Sequence, residues 1–199
     1  MPNYLYDPRS RRYRNVESGQ YVPAAQVRAA IDTLIDAQTA KARALSERLV
    51  NGEIHLAEWQ AQMASELKAL YVAVGVAARG GFANTTQSDY GFIGSLIKKQ
   101  YQFLRAFAEQ IASGQQPLDG TLVARAALYA QAARGLYETV AQWKAKQAGA
   151  TQEKSVLHPA DHCADCTGEA AKGWQPIGSL IPIGQRQCRT NCKCSFIYQ

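Results

Sequence analysis

Four stretches of this chain repeat apolar residues at steps of three and four, the spacing of one face of an α-helix. The first carries Val27, Ile31, Leu34, Gln38, Ala42, Leu45 and Leu49. It starts after Pro23, which suits a first helical turn, and stops at Asn51-Gly52. The second begins near His55 and carries Trp59, Met63, Leu67, Leu70 and Val74, closing at Gly80-Gly81. Glu58 stands three residues after His55, the spacing of a capping box with His in the place of Ser or Thr. The third runs from about Tyr90 to Ser113 along Ile93, Leu96, Ile97, Gln100, Leu104, Phe107 and Ile111, and Tyr101 and Phe103 widen its apolar face. The fourth follows an Asp119 cap along Leu122, Ala126, Tyr129, Ala133, Leu136, Val140 and Trp143. Large and small residues alternate there, as in antiparallel helix packing. All four stripes are read as core. The pattern predicts a mainly α protein, a bundle of four long helices with short loops over residues 23–147.

Two segments break the pattern. Residues 1–22 lack helical periodicity and interleave Arg9, Arg11, Arg12 and Arg14 with Tyr4, Tyr6, Tyr13 and Tyr21, bracketed by Pro2, Pro8 and Pro23. They are expected to form an extended basic arm that becomes ordered only against something else. Arginine offers a bidentate fork to phosphate or carboxylate, and tyrosine stacks or fills pockets. Arg9, Arg11, Arg12, Arg14, Tyr4, Tyr6 and Tyr13 are therefore the candidate partner-binding residues. Residues 148–199 form a polar linker, centred on KAKQAGATQEK, and a cysteine-rich lobe whose end, Cys194–Tyr198, suggests one short strand. No strand pattern is expected before that lobe.

A net charge of +6 favours an acidic partner without specifying one. No run of about twenty apolar residues exists, so no membrane-spanning helix is expected. The first residues have no apolar stretch of the secretory kind. There is no glycine-rich phosphate loop, nucleophile elbow or HExxH, and three histidines leave little for general acid–base schemes. Asp32 and Asp36, one turn apart, are read as an exposed helix surface.

Every cysteine lies near the end of the chain: Cys163, Cys166, Cys188, Cys192 and Cys194. A CxxC turn aims two sulfurs at one point, and a second group brought back by a Gly- and Pro-rich segment completes a site for a soft, borderline metal. A structural zinc in a small knuckle-like lobe is the favoured reading, with His158 and His162 as reserve ligands. Disulfides and a redox CxxC are the alternatives. An odd number of cysteines leaves one over in a disulfide scheme and in a four-sulfur site alike, and either Cys192 or Cys194 can be the spare. Asp161, Asp165 and Glu169 flank the cluster and are read as surface charges rather than as a base for an open, hydrolytic zinc. Cysteines confined to one cluster fit a reducing compartment.

The run Cys163-Ala-Asp-Cys166, then Gly173 and Pro176, then Cys188-Arg-Thr-Asn-Cys192-Lys-Cys194 resembles the C-terminal signature of tailed-phage head morphogenesis proteins, the minor capsid proteins of the Mu F-like group. That signature is a CxxC, a Gly/Pro-bearing loop and a closing His-Pro-x-Cys-Arg-Cys. Cys192-Lys193-Cys194 matches its end, and Cys188 stands roughly where the family has His. The phrases NGEIHLAEWQAQM, AARGG and RAALYAQAARGLYE are similar in style to such proteins. The resemblance implies a structural virion protein, made in the host cytoplasm, present in several copies and bound to portal or capsid proteins and to packaged DNA, with no enzymatic activity in this region. The alternative is a DNA-binding zinc protein that uses the arm and the lobe. Lys172, Arg186, Arg189 and Lys193 nearly balance the lobe's acids, which is unlike a dedicated nucleic-acid reader.

Overall fold

The computed structural model describes residues 4–7, 9–10 and 12–199. Arg11, Pro2 and Pro8, singled out above, lie outside the described residues. The fold is mainly helical, with two small three-stranded sheets. The chain divides into two compact units, one ending at Ala133 and one spanning Arg134–Gln199. No helix among the described residues is long and apolar enough to cross a membrane.

In the first unit the basic segment is not an extended arm. Strands β1 (Tyr4–Asp7), β2 (Arg12–Asn15) and β3 (Tyr21–Val22) form an antiparallel sheet in that order. Tyr6 faces Tyr13 across β1 and β2, their rings 5.2 Å apart. The turn into β3 is built locally. The Asn15 side chain accepts from the backbone N–H groups of Glu17 and Ser18, and Gly19 takes φ 69°. The sheet orders itself on its own chain rather than waiting for a partner. Tyr6 N–H donates to the Gly80 carbonyl at 2.8 Å, and Asn84 Nδ2 donates to the Tyr6 carbonyl at 2.7 Å. Gly81 permits the approach: φ is 100°, and a Cβ there would stand 2.5 Å from the Tyr4 carbonyl oxygen.

Helices α1 (Ala24–Val50), α2 (Leu56–Arg79) and α3 (Gln87–Ala112) follow the three predicted stripes closely. On α1 the buried row runs through Ile35 and Thr39 rather than Leu34 and Gln38. Leu34 instead lines an apolar cleft of about 220 Å³ with Val27, Ile31, Ala77 and Phe82. On α3 Tyr101 is half-buried but Phe103 is half-exposed, so Phe103 does not widen the core face. His55 starts α2 without a side-chain cap bond. The capping box is at α3 instead, where Thr86 and Asp89 satisfy each other's backbone N–H groups.

The fourth stripe is two helices. Helix α4 (Gly120–Gln131), capped by Asp119, packs against α1, and α5 (Ala133–Gln147) begins the second unit after a break at Ala132. The centre of the first core is Trp59, fully buried, with Phe107 edge-on at 5.5 Å and Tyr129 stacked on Phe107 at 5.9 Å. The Trp59 indole N–H donates to Ser46 Oγ at 3.0 Å, and Ser46 donates to the Ala42 carbonyl at 2.7 Å. Ser46→Ala strands a buried indole donor and is expected to cost about 1–3 kcal/mol. Urea unfolding with an unchanged m-value checks this. A loss below a few tenths of a kcal/mol would mean the indole finds another acceptor.

The second unit holds α5, β4 (Gln152–Val156), α6 (Ala164–Ala171), β5 (Gln175–Pro176) and β6 (Ser195–Tyr198). The sheet order is β5-β4-β6, all antiparallel. The end of the supposed linker, Gln152-Glu153-Lys154, is therefore part of the central strand. Glu153 is fully buried there and accepts from Leu180 N–H at 3.2 Å and Gln142 Nε2 at 2.8 Å. Helix α5 belongs to this unit because its inner face is shaped to it. Gly135 lets the Ile183 carbonyl come within 3.1 Å of where a Cβ would be, and Glu138 accepts from Phe196 N–H at 3.3 Å.

Candidate metal centre

The cysteines reach one place by three routes. Cys163 caps α6 and Cys166 lies in its first turn, so the CxxC spacing puts both sulfurs on one side of that helix, 3.5 Å apart. Cys188 precedes a single 3₁₀ turn, Arg189–Asn191, in which Arg189 takes the left-handed φ of 48°. Cys192 closes that turn, and Cys194 immediately precedes β6, whose pairing with β4 fixes its position. The Asp165 carboxylate ties the two halves together by accepting from Gln187 N–H at 2.8 Å.

All five cysteines are free thiols. Cys166, buried, is the hub: its sulfur lies 3.5 Å from Cys188 and 3.6 Å from Cys192 as well as beside Cys163. These separations are far longer than a disulfide's roughly 2 Å. They are close to the spacing of about 3.8 Å that sulfurs adopt around a tetrahedral zinc with bonds of about 2.3 Å. Two sets of donors fall within 4.8 Å of one another, Cys163 with Cys166 and Cys188, and His162 with Cys166 and Cys194. This cluster of cysteine and histidine side chains could hold a metal ion, and its donor set fits one that is soft or borderline.

His162 is among the side chains that could hold the ion. Its Nε2 is 2.8 Å from the His158 carbonyl, and its Nδ1 is 3.7 Å from the Cys194 sulfur. His158 instead pairs with Ser195 Oγ at 2.8 Å. The apolar wall of the cluster is Leu180, Ile183 and Phe196. Burial pushes the Cys194 thiol up to about 12 and raises Cys188 strongly as well, with the neighbouring sulfurs adding to both. Crowded sulfurs in apolar surroundings do not carry several negative charges unaided, and a cation is the natural counter-charge.

Of the flanking acids Asp161 is exposed, as expected, whereas Asp165 and Glu169 hold the lobe together. Asp165 is the clamp already described. Glu169 is buried and accepts from Ile181 N–H at 3.1 Å and from Lys172 Nζ at 2.6 Å. Both carboxylates are occupied in holding loops. Arg186 is also fully buried: Nε donates to the Ile181 carbonyl at 3.0 Å, Nη1 donates to Ser155 Oγ at 3.1 Å, and the guanidinium stands 5.3 Å over Phe196. It is a structural residue of the lobe, which the sequence analysis counted only as one of its positive charges.

Of the residues proposed for partner binding, Tyr4, Tyr6, Arg12, Tyr13 and Arg14 lie on strands of the N-terminal sheet and Arg9 lies in a turn. Arg9, Arg12 and Arg14 are exposed, while Tyr4, Tyr6 and Tyr13 are half-buried. Arg14 is partly engaged, donating from Nε to the Gly19 carbonyl at 3.1 Å. Compared with known proteins, the chain matches no family model, no curated sequence and no solved structure.

Proposed function

We propose that the chain is a structural virion protein of a tailed phage that assists head morphogenesis or the head–tail junction. The observation that carries this reading is the C-terminal signature. Its CxxC and its closing Cys-x-Cys, the parts that resemble the Mu F-like minor capsid proteins, are the parts that converge at Cys166. In this reading the metal is a structural zinc, and the lobe is a stapled element without an enzymatic role. Helices α1–α4 act as the bundle, and the N-terminal sheet takes the role of the arm. Portal or capsid proteins dock there, in several copies, through Arg9, Arg12 and Arg14 with the tyrosines beneath them. Mass spectrometry of purified virions, and chromatography of the chain with its phage's portal protein, test this. Presence in virions and a complex weakened by Arg12→Glu with Arg14→Glu are expected. Absence from virions would contradict it.

A second reading, a DNA-binding zinc protein, draws on the same exposed arginines. On β2, Arg12 and Arg14 are exposed while Tyr13 and Asn15 are half-buried, a strand with one basic side. Binding to generic duplex DNA that weakens steeply with salt would favour it, and no binding at low salt would remove it.

A further inference from the structure

The cluster holds more donors than one ion can use. A tetrahedral zinc takes four ligands. Five sulfurs and one imidazole nitrogen surround this point, and the two donor triads meet only at Cys166. Around a single ion all ligands would be mutual neighbours, whereas Cys163 and Cys188 share no donor set with Cys194 and His162.

His162 supplies the second observation. Its Nε2 faces the His158 carbonyl at 2.8 Å, and a carbonyl can only accept, so Nε2 carries the proton. Nδ1 then presents a lone pair towards Cys194. A backbone carbonyl fixing the outer ring nitrogen while the inner one faces the site is how metal-binding histidines are oriented. With a single ion held by Cys163, Cys166, Cys188 and Cys192, this oriented imidazole and the buried Cys194 thiol would have only each other.

Resting on the zinc reading above, we propose that the lobe binds two thiophilic divalent ions that share the Cys166 thiolate. Cys163, Cys188 and Cys192 complete the first site. Cys194 and His162 hold the second, which has fewer protein ligands and exchanges its ion faster. Each thiol gives up its proton on binding, and no oxidation or reduction is involved.

The test is native mass spectrometry of the full chain loaded with zinc, together with cadmium-113 NMR of the chain loaded with cadmium. Two ions per chain, and two cadmium resonances coupled through the shared sulfur, are expected. The variant carrying Cys194→Ser and His162→Gln is expected to drop from two ions to one. One ion in the unmutated chain with a single cadmium resonance overturns the second site and leaves the zinc reading standing. No bound ion overturns both. The result on the unmutated chain is decisive even where the variant misfolds.

Discussion

Replacing Cys166 with Ser is expected to strip the metal from the protein and unfold residues 134–199 while the helices before them persist. Cys166 is the sulfur that both donor triads contain, and it is buried. Metal binding supplies about 10–16 kcal/mol of folding free energy to small zinc modules, against about 5–15 kcal/mol of total stability for an ordinary domain. Around the cysteines the apolar packing is little more than Leu180, Ile183 and Phe196, and on α5 it is Leu136, Tyr137 and Val140, a small core for the metal to supplement. Hydrogen exchange checks the result: amides of β4 and β6 should lose protection, and those of α2 and α3 should keep it. The pH dependence has a definite sign. Metal must displace protons from thiols such as Cys194, whose pKa is raised from 9.0 to about 12, so affinity rises with pH and metal is released on acidification.

Replacing Asp89 with Ala is expected to be the most damaging single change in the first unit. Asp89 is fully buried, and its Oδ2 accepts from Thr86 N–H at 2.9 Å and Thr86 Oγ1 at 2.7 Å. The same oxygen lies 2.9 Å from Arg79 Nε, off the line of that N–H, so charge rather than a directed hydrogen bond holds the pair. The substitution removes the Asp89 half of α3's capping box and leaves the largely buried Arg79 without this carboxylate. Removing one member of a buried ion pair costs about 3–5 kcal/mol, and loss of a cap contributes within that range. A melting temperature lowered by more than about 5 °C is the expected reading. Arg79→Met in the same background should recover part of the loss, because it removes the orphaned charge while keeping the volume. An Asp89→Ala variant as stable as the parent would show that water reaches Arg79.

The helices were legible because burial leaves a periodic trace. Trp59, Met63, Leu67, Leu70 and Val74 appear as a stripe and are all buried. The errors came where local periodicity is silent about partners. Leu34 and Ile35 fit a stripe equally well, and only the cleft beside the N-terminal sheet decides which is inside. The fourth stripe continues across Ala132 with no change of period, yet Leu122 and Ala126 belong to one core while Leu136 and Val140 belong to the next unit. The N-terminal sheet did leave a sign: Arg12-Tyr13-Arg14-Asn15 alternates, and Asn15 to Gly19 is turn chemistry. Prolines and arginines masked it. Strand β4 was hidden because its buried residues, Glu153 and Ser155, are polar and satisfied by long-range bonds. The same blindness applied to Arg186, Glu169 and Asp165. The five cysteines were visible at once, whereas the part played by His162 depends on a carbonyl four residues away that orients its ring.

The central claim is that metal, not an apolar core, holds residues 134–199 together. Hydrogen exchange of the purified chain before and after a strong chelator, with metal content measured on the same sample, tests it most directly. Bound zinc, and protection of β4 and β6 that disappears on chelation and returns when zinc is restored, is the result the proposed zinc site predicts. A metal-free chain whose β4 and β6 amides are protected equally with and without chelator would contradict it.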